Sequence, residues 1–242
     1  MTLETSSFFD PTKAARMDPL GLDEFMGEIA DYNLLSNTRI LIDTLRDATE
    51  VLPSLPRQPD VAISSLRDID IISSSLLRHG INPIEVAPRL AEGLKSLGAI
   101  AVNVPRGTIA TYVGINPSDS RRRQFTSTEQ EAIFVESLSV GYHLLDTALT
   151  DISTIKMESS ASEVAEALGS TVTAVDSMRY SIIAVHRNIS PEFFTANIRP
   201  YFEPLEVDGE EYAAPGGSQL QTRSARHLAL APRARSLRLA SR

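Results

Sequence analysis

The sequence predicts an all-α fold, and three observations carry that reading. Apolar residues recur at three- and four-residue spacing over long stretches, helix-starting signals precede most of those stretches, and no alternating strand series or internal repeat is present. Residues 1–20 mix Ser, Asp, Pro and Met without a sustained period and read as an irregular arm. Residues 22–52 place Phe25, Ile29, Leu34, Ile40, Ile42 and Leu45 at helical intervals, with a break near Ser36-Asn37. Pro53, Pro56 and Pro59 stiffen the connection that follows.

Over residues 61–79, Ile63, Leu66, Ile69, Ile72 and Leu76 fall on one helical face, and Gly80 suits the position just past the end. Asn82-Pro83 caps a helix expected to run to about Leu97, with Glu85 in its first turn. Residues 99–104 form a short apolar run that periodicity leaves open between strand and buried helix. Residues 106–114 read as helix ending before Asn116-Pro117, and 118–123 as a polar loop in which Arg121, Arg122 and Arg123 are solvated charges. Thr128 with Glu131 is a capping box for a long helix from Glu129 to about Asp151. Residues 159–162 open another helix, with Val164, Leu168, Val172, Val175, Met178 and Ile182 at helical spacing as far as Val185.

The chain then changes character. Ser190-Pro191 is an N-cap followed by proline at the first helical position, and Pro200 and Pro204 end that short helix soon after Arg199. Asp208-Gly209 fits a two-residue turn, so at most a short hairpin is expected at 205–212. Pro215-Gly216-Gly217 lets bare backbone come close to another group.

Composition excludes several chemistries. The 242 residues contain no cysteine, which removes disulfides, zinc–thiolate sites and iron–sulfur clusters. No basic-then-apolar leader opens the sequence and no run reaches membrane-span length, so a soluble, cytoplasmic protein without a membrane partner is expected. Six arginines and no acidic residue lie beyond Ser218, leaving 17 basic against 31 acidic residues before it, a net of −14. A body that acidic is a poor partner for nucleic acid, and a small substrate is expected instead. No phosphate-binding loop, dinucleotide fingerprint, nucleophile elbow or metalloprotease helix is present.

Ser190-Pro191, Phe194, Arg199-Pro200, Gly209, Tyr212 and Pro215-Gly216, in that order and spacing, resemble the haem-dependent indoleamine 2,3-dioxygenase superfamily. The likeness is greatest to its bacterial branch typified by monodechloroaminopyrrolnitrin synthase. Leu66-Arg67-Asp68-Ile69, Arg78-His79-Gly80, Asn116-Pro117 and Glu136-Ser137 add to the resemblance, which spans about residues 60–218. It implies a multi-helical domain over 21–218, with haem and dioxygen acting on tryptophan or a chlorinated indole amino acid in secondary metabolism.

By the same resemblance Arg199 pairs with the substrate carboxylate, where a guanidinium binds two oxygens at once. Its alternative role is to neutralise Glu203 or Glu206. Phe194 matches the aromatic wall over the substrate ring, Phe134 and Ser137 the distal side of the pocket, and Tyr112 the same wall. Gly216, Gly217 and Ser218 match a loop beside a haem propionate. For each a plain structural role stands as the alternative: core packing, an i−4 hydroxyl bond, or a turn.

The family's proximal histidine has no counterpart here. His79 sits at a helix end and His143 and His186 within helices, where structural roles suit them, and His227 lies in the basic stretch 219–242. That stretch reads as a frameshift or truncation tail, or else as a natural basic tail. Two further functions therefore stand beside the enzyme: a non-catalytic fragment, self-associating through exposed apolar helix faces, or a binding module whose basic tail takes an acidic partner.

Overall fold

In the stretch expected to be an irregular arm, α1 (Pro11–Arg16) is a helix, because the Asp10 carboxylate caps it and Pro11 begins it. The computed structural model describes residues 9–214. The arm is tied down where α1 ends: the carbonyls of Ala14, Ala15 and Met17 all accept from Arg67.

Helices α2 (Asp23–Leu34) and α3 (Thr38–Val51) are separated where the break was expected, with Ser36 at φ 53°. Helix α4 (Pro59–Arg78) is the centre of the fold, and Gly80 at φ 73° follows it as expected. The expected one-sided burial of α4 is corrected: every residue from Val61 to Leu76 is buried. Most of its polar residues are satisfied within the fold, while the Ser73 and Ser75 hydroxyls are buried without a partner among the described residues. Ser64 donates to the carbonyls of Asp60 and Ala14, Ser65 to that of Val61, and Arg67 to the Asp68 carboxylate, which also accepts from a partner described below.

Asn82 caps its helix through the Ile84 N–H, but Pro88 stops that helix early. The result is α5 (Pro83–Val86) and α6 (Leu90–Ala101) in place of one helix to Leu97. The open segment 99–104 is resolved as the helix end, with Val102 in the left-handed conformation at φ 52°. Within 106–114 only Ala110–Gly114 is a wide, π-type turn, preceded by buried Arg106.

Helices α7 (Glu129–Thr154) and α8 (Ala161–Asn188) form an antiparallel hairpin, with α8 packed mainly on α7. Ser160 and Glu163 make the complete capping box at its second helix. The seam is built from small residues: Gly141, Ala148, Ala167, Ala174 and Ser181 are buried. A methyl group on Gly141 would lie 2.8 Å from the Met178 Cα, so the backbones approach too closely for any side chain there. Gly141→Val is expected to lose about 1–3 kcal/mol through overpacking. An unchanged thermal melting temperature would show that the seam is not close-packed.

The apolar residues at helical spacing on α8 do not all meet this seam. Leu168, Val172, Val175 and Ile182 face solvent, 47–64 % exposed, because the small residues beside them are the ones that meet α7.

After α8 come α9 (Pro191–Phe193), a π-type turn (Phe194–Ile198) and a 3-10 turn (Arg199–Tyr201), so helical winding passes Pro200 by one residue. The Ser190 hydroxyl caps α9 through the Phe193 N–H at 3.1 Å. Strands β1 (Leu205–Val207) and β2 (Glu210–Tyr212) pair antiparallel around Asp208-Gly209, both at positive φ, as a two-residue hairpin turn requires. The architecture is all-α with one short hairpin among the described residues.

Candidate functional site

The two π-type turns bring most of the predicted wall together. A wide turn re-aims side chains relative to a regular helix; one turn carries Tyr112 and the other carries Phe194. Phe134, from α7, lies between them, with ring centroids 5.6 Å from Phe194 and 6.5 Å from Tyr112. Phe202, which no sequence motif marks, joins all three at 5.7–6.4 Å. Behind it Tyr201 stacks on Phe125 at 4.3 Å, and the Arg78 guanidinium lies 5.3 Å from the Tyr201 ring centre. Burial pushes the Tyr201 hydroxyl up to about 12, so it stays protonated at neutral pH.

Glu131 anchors this wall. It is fully buried and accepts from the Tyr112 hydroxyl at 2.6 Å, the Phe125 and Thr126 N–H groups at 2.7 and 2.6 Å, and the Thr126 hydroxyl at 2.7 Å. The expected capping box is thereby corrected. Thr128 accepts from the Glu131 N–H at 3.4 Å, but the carboxylate turns inward to the wall. Burial raises the Glu131 pKa against the pull of its donors, and burial with the nearby carboxylate raises that of Tyr112.

The predicted site residues differ in exposure. Tyr112 and Phe134 are buried, Phe194 and Ser137 half-buried, and Arg199 exposed. Ser137 follows Phe134 by three residues and so shares its helical face. The Ser137 hydroxyl has no partner among the described residues, and the i−4 bond offered as its alternative is not made. Nor does Arg199 pair with Glu203 or Glu206 there. Gly216, Gly217, Ser218, His227 and the stretch 219–242 lie outside the described residues.

A second, charged assembly lies under the first. Asp68 is held between Arg67, at 2.7 and 3.0 Å, and Arg123, at 3.0 and 3.4 Å, with all three side chains enclosed. Arg123 also reaches Asp23, and Arg122 reaches Glu136. The expectation of a solvated arginine loop is therefore overturned for Arg123, whose guanidinium is the counter-charge of a buried aspartate. Burial alone would raise the Asp68 pKa, but the two arginines outweigh it and hold the carboxyl below its usual range. Nearby Arg106 lies 3.0 Å from Asp70 and donates to Ser74 and to the carbonyl of Glu203. Arg106 thereby links Asp70 and Ser74 of α4 to the segment leading into β1.

A separate cleft of about 510 Å³ lies between α3 and α6, lined in part by Thr49, Leu52, Arg57, Arg89, Glu92 and Ile100. It contains no predicted site residue. No helix among the described residues is long and apolar enough to cross a membrane.

The arginine–aspartate core, the helical body and the segment from Ser190 to Tyr212 thus form one connected unit. The family model for monodechloroaminopyrrolnitrin synthase PrnB matches residues 42–224, about three quarters of the chain. The chain belongs to the PrnB family. This family is haem-dependent and indoleamine dioxygenase-like, and it points to oxygenase chemistry on tryptophan-like substrates. The match takes in α4, both π-type turns, the α7–α8 hairpin and the β1–β2 hairpin.

The described residues do not fit the role of iron ligand in a PrnB-family haem site. His143 and His186 are exposed, and no contact joins either to the wall. His79 ends α4, where burial and Arg78 lower its pKa. Its Nε2 is enclosed without a partner, yet no ring contact or hydrogen bond connects it to the wall. Among the described residues no cluster of histidine and carboxylate side chains could hold a metal ion.

Proposed function

We propose that this chain is the substrate-recognising part of a haem-dependent oxygenase site for tryptophan or a chlorinated indole amino acid. One observation carries the reading: Phe134 and Phe194 meet at a half-open wall, and Arg199 stands free of any partner among the described residues at the end of the turn that bears Phe194. An indole ring matches an aromatic wall in shape and quadrupole. Its amino-acid carboxylate matches a guanidinium that can give two parallel N–H bonds. Ser137 adds a hydroxyl on the face of Phe134, able to accept from an indole N–H or donate to a polar substituent. When bound, haem would supply the redox chemistry with dioxygen, while the protein binds and orients the substrate. No step through iron is assigned to this chain, since its described residues offer no ligand at the wall.

The test is direct because the protein has no tryptophan, so the fluorescence of added tryptophan or a chlorinated tryptophan reports binding free of any tryptophan signal from the protein. Saturable binding is expected, and Arg199→Ala should weaken it about tenfold, in keeping with loss of a charge-assisted hydrogen bond. Arg199→Lys should recover part of that loss. Binding indifferent to Arg199 would refute its carboxylate role. A parallel haem titration should give no histidine-type Soret spectrum; a stoichiometric one would show that this chain carries an iron ligand after all.

A further inference from the structure

The residues that follow Arg199-Pro200 are each held by a different part of the body. Tyr201 lies between Phe125, stacked on it at 4.3 Å, and the Arg78 guanidinium, 5.3 Å from its ring centre. Phe202 packs on the rings of Tyr112, Phe134 and Phe194 at 5.7–6.4 Å. The Glu203 carbonyl accepts from Arg106 Nη2 at 2.9 Å. On the other side of Arg199, Ile198 is fully buried. The Arg199 side chain is exposed and has no partner among the described residues, so a free guanidinium stands on a backbone fixed on both sides.

Two of these ties run back to one ridge of α4. Asp70, Ser74 and Arg78 follow one another at four-residue spacing and so share a helical face. Arg106 is fully buried against that ridge, its Nε 3.0 Å from Asp70 and its Nη2 3.1 Å from the Ser74 hydroxyl. The next residue fits closely too: a methyl group on Gly107 would overlap the Asp70 carboxylate, which accepts from the Gly107 N–H. As a filler of this space Arg106 is a poor choice. Its Nη1 is enclosed without a partner among the described residues, which lowers stability. What an apolar side chain could not supply is the bond to Glu203, four residues past Arg199.

We propose that Arg106 is a positioning residue for Arg199. Anchored on Asp70 and Ser74, it fixes through the Glu203 carbonyl the backbone from which the Arg199 side chain reaches the substrate carboxylate. Arg78 supports the same backbone through Tyr201. The inference rests on the substrate reading above. A guanidinium whose backbone is already in place loses less freedom when it closes on a carboxylate, and the difference appears as affinity.

The test compares two fluorescent ligands on the full-length chain. Tryptophan carries the carboxylate that Arg199 would meet, and indole has the ring alone. Arg106→Lys keeps a positive charge beside Asp70 but loses the fork that reaches Ser74 and Glu203 together. It is expected to weaken tryptophan binding about three- to tenfold, the cost of ordering one long side chain anew, and to leave indole binding unchanged. In an Arg199→Ala background the same change should weaken tryptophan no further, because the two residues act through one contact. Arg78→Leu, at an exposed position, should give the same selective loss, and Arg78→Lys should restore binding. That pair decides the matter if Arg106→Lys does not fold.

Equal losses for tryptophan and indole would place both arginines in the scaffold alone and overturn the inference. So would tryptophan binding indifferent to the folded variants, or losses that add in full to that of Arg199→Ala. If Arg199→Ala binds tryptophan as its parent does, the substrate reading fails and takes this inference with it. If only the Arg106 and Arg78 variants are silent, this inference falls and the substrate reading stands.

Discussion

Replacing Arg123 with leucine is expected to cost about 3–5 kcal/mol of folding stability, the usual penalty for removing one member of a buried ion pair. The guanidinium is fully buried and gives Asp68 two of its four hydrogen bonds. Without it burial of Asp68 is opposed by Arg67 alone. The penalty should depend on pH with a definite sign. In the unaltered protein the folded pKa of Asp68 lies below its ordinary 3.8, so its contribution is present above that value and is lost as pH falls through the lower folded one. In the variant the folded pKa rises, and the stranded carboxylate is relieved when it takes up a proton. The difference between variant and parent in urea unfolding should therefore be largest near neutral pH and shrink on acidification. A variant as stable as its parent at neutral pH would show that the buried charges are dispensable. Leucine and arginine differ in shape, so Arg123→Lys provides the control: it keeps charge but loses the fork, and should fall between the two.

Glu131→Ala is expected to have a comparable effect, about 3–5 kcal/mol, by a different route. It leaves the Phe125 and Thr126 N–H groups and the Tyr112 hydroxyl without their acceptor in a buried setting, where each orphaned donor costs about 1–3 kcal/mol and the costs do not add in full. Those donors fix two rings of the wall, Tyr112 and Phe125, so the change should loosen the site as well as the fold. Tryptophan affinity should drop even at temperatures where the variant remains folded. Tyr112→Phe, which removes one donor and leaves the carboxylate its other three, should cost only about 1 kcal/mol. Thermal melting and indole fluorescence on the same samples separate the two effects. A destabilised variant with unaltered affinity would place Glu131 in the scaffold alone.

The wall and the charged core differ in how far the sequence announces them. Phe134, Phe194 and Tyr112 can be picked out through resemblance, and they converge. Phe202 and Tyr201, directly after Pro200, are equally aromatic and carry no motif, so they pass unnoticed until the turn folds them against Phe134 and Phe125. Glu131 has a local explanation as a capping residue, and that explanation hides its longer-range role with Tyr112, 19 residues away. Arg121-Arg122-Arg123 is a run of like charges in an acidic chain, which by itself points to solvent. Asp68, 55 residues upstream, draws Arg123 inside instead.

What the sequence determined is what neighbouring residues settle among themselves. Ser160 with Glu163 starts α8, Ser190-Pro191 starts α9, Gly80 follows α4, and Asp208-Gly209 turns the hairpin, because each feature needs only a cap, a fixed φ or a tolerated positive φ within a few residues. Helical spacing likewise fixed the all-α class, and ordered motifs fixed the family. What only the tertiary structure decided is which side of each helix is inside. Leu168, Val172, Val175 and Ile182 look like a core from their own spacing, yet α7 packs on Ala167, Ala174 and Ser181 instead, since Gly141 lets two backbones come close. On α4, Ser64, Arg67, Asp68 and Asp70 are buried with partners that distant segments supply, among them Ala14, Ile115, Arg123 and Arg106. Burial depends on two surfaces, and the sequence of one helix describes only one of them.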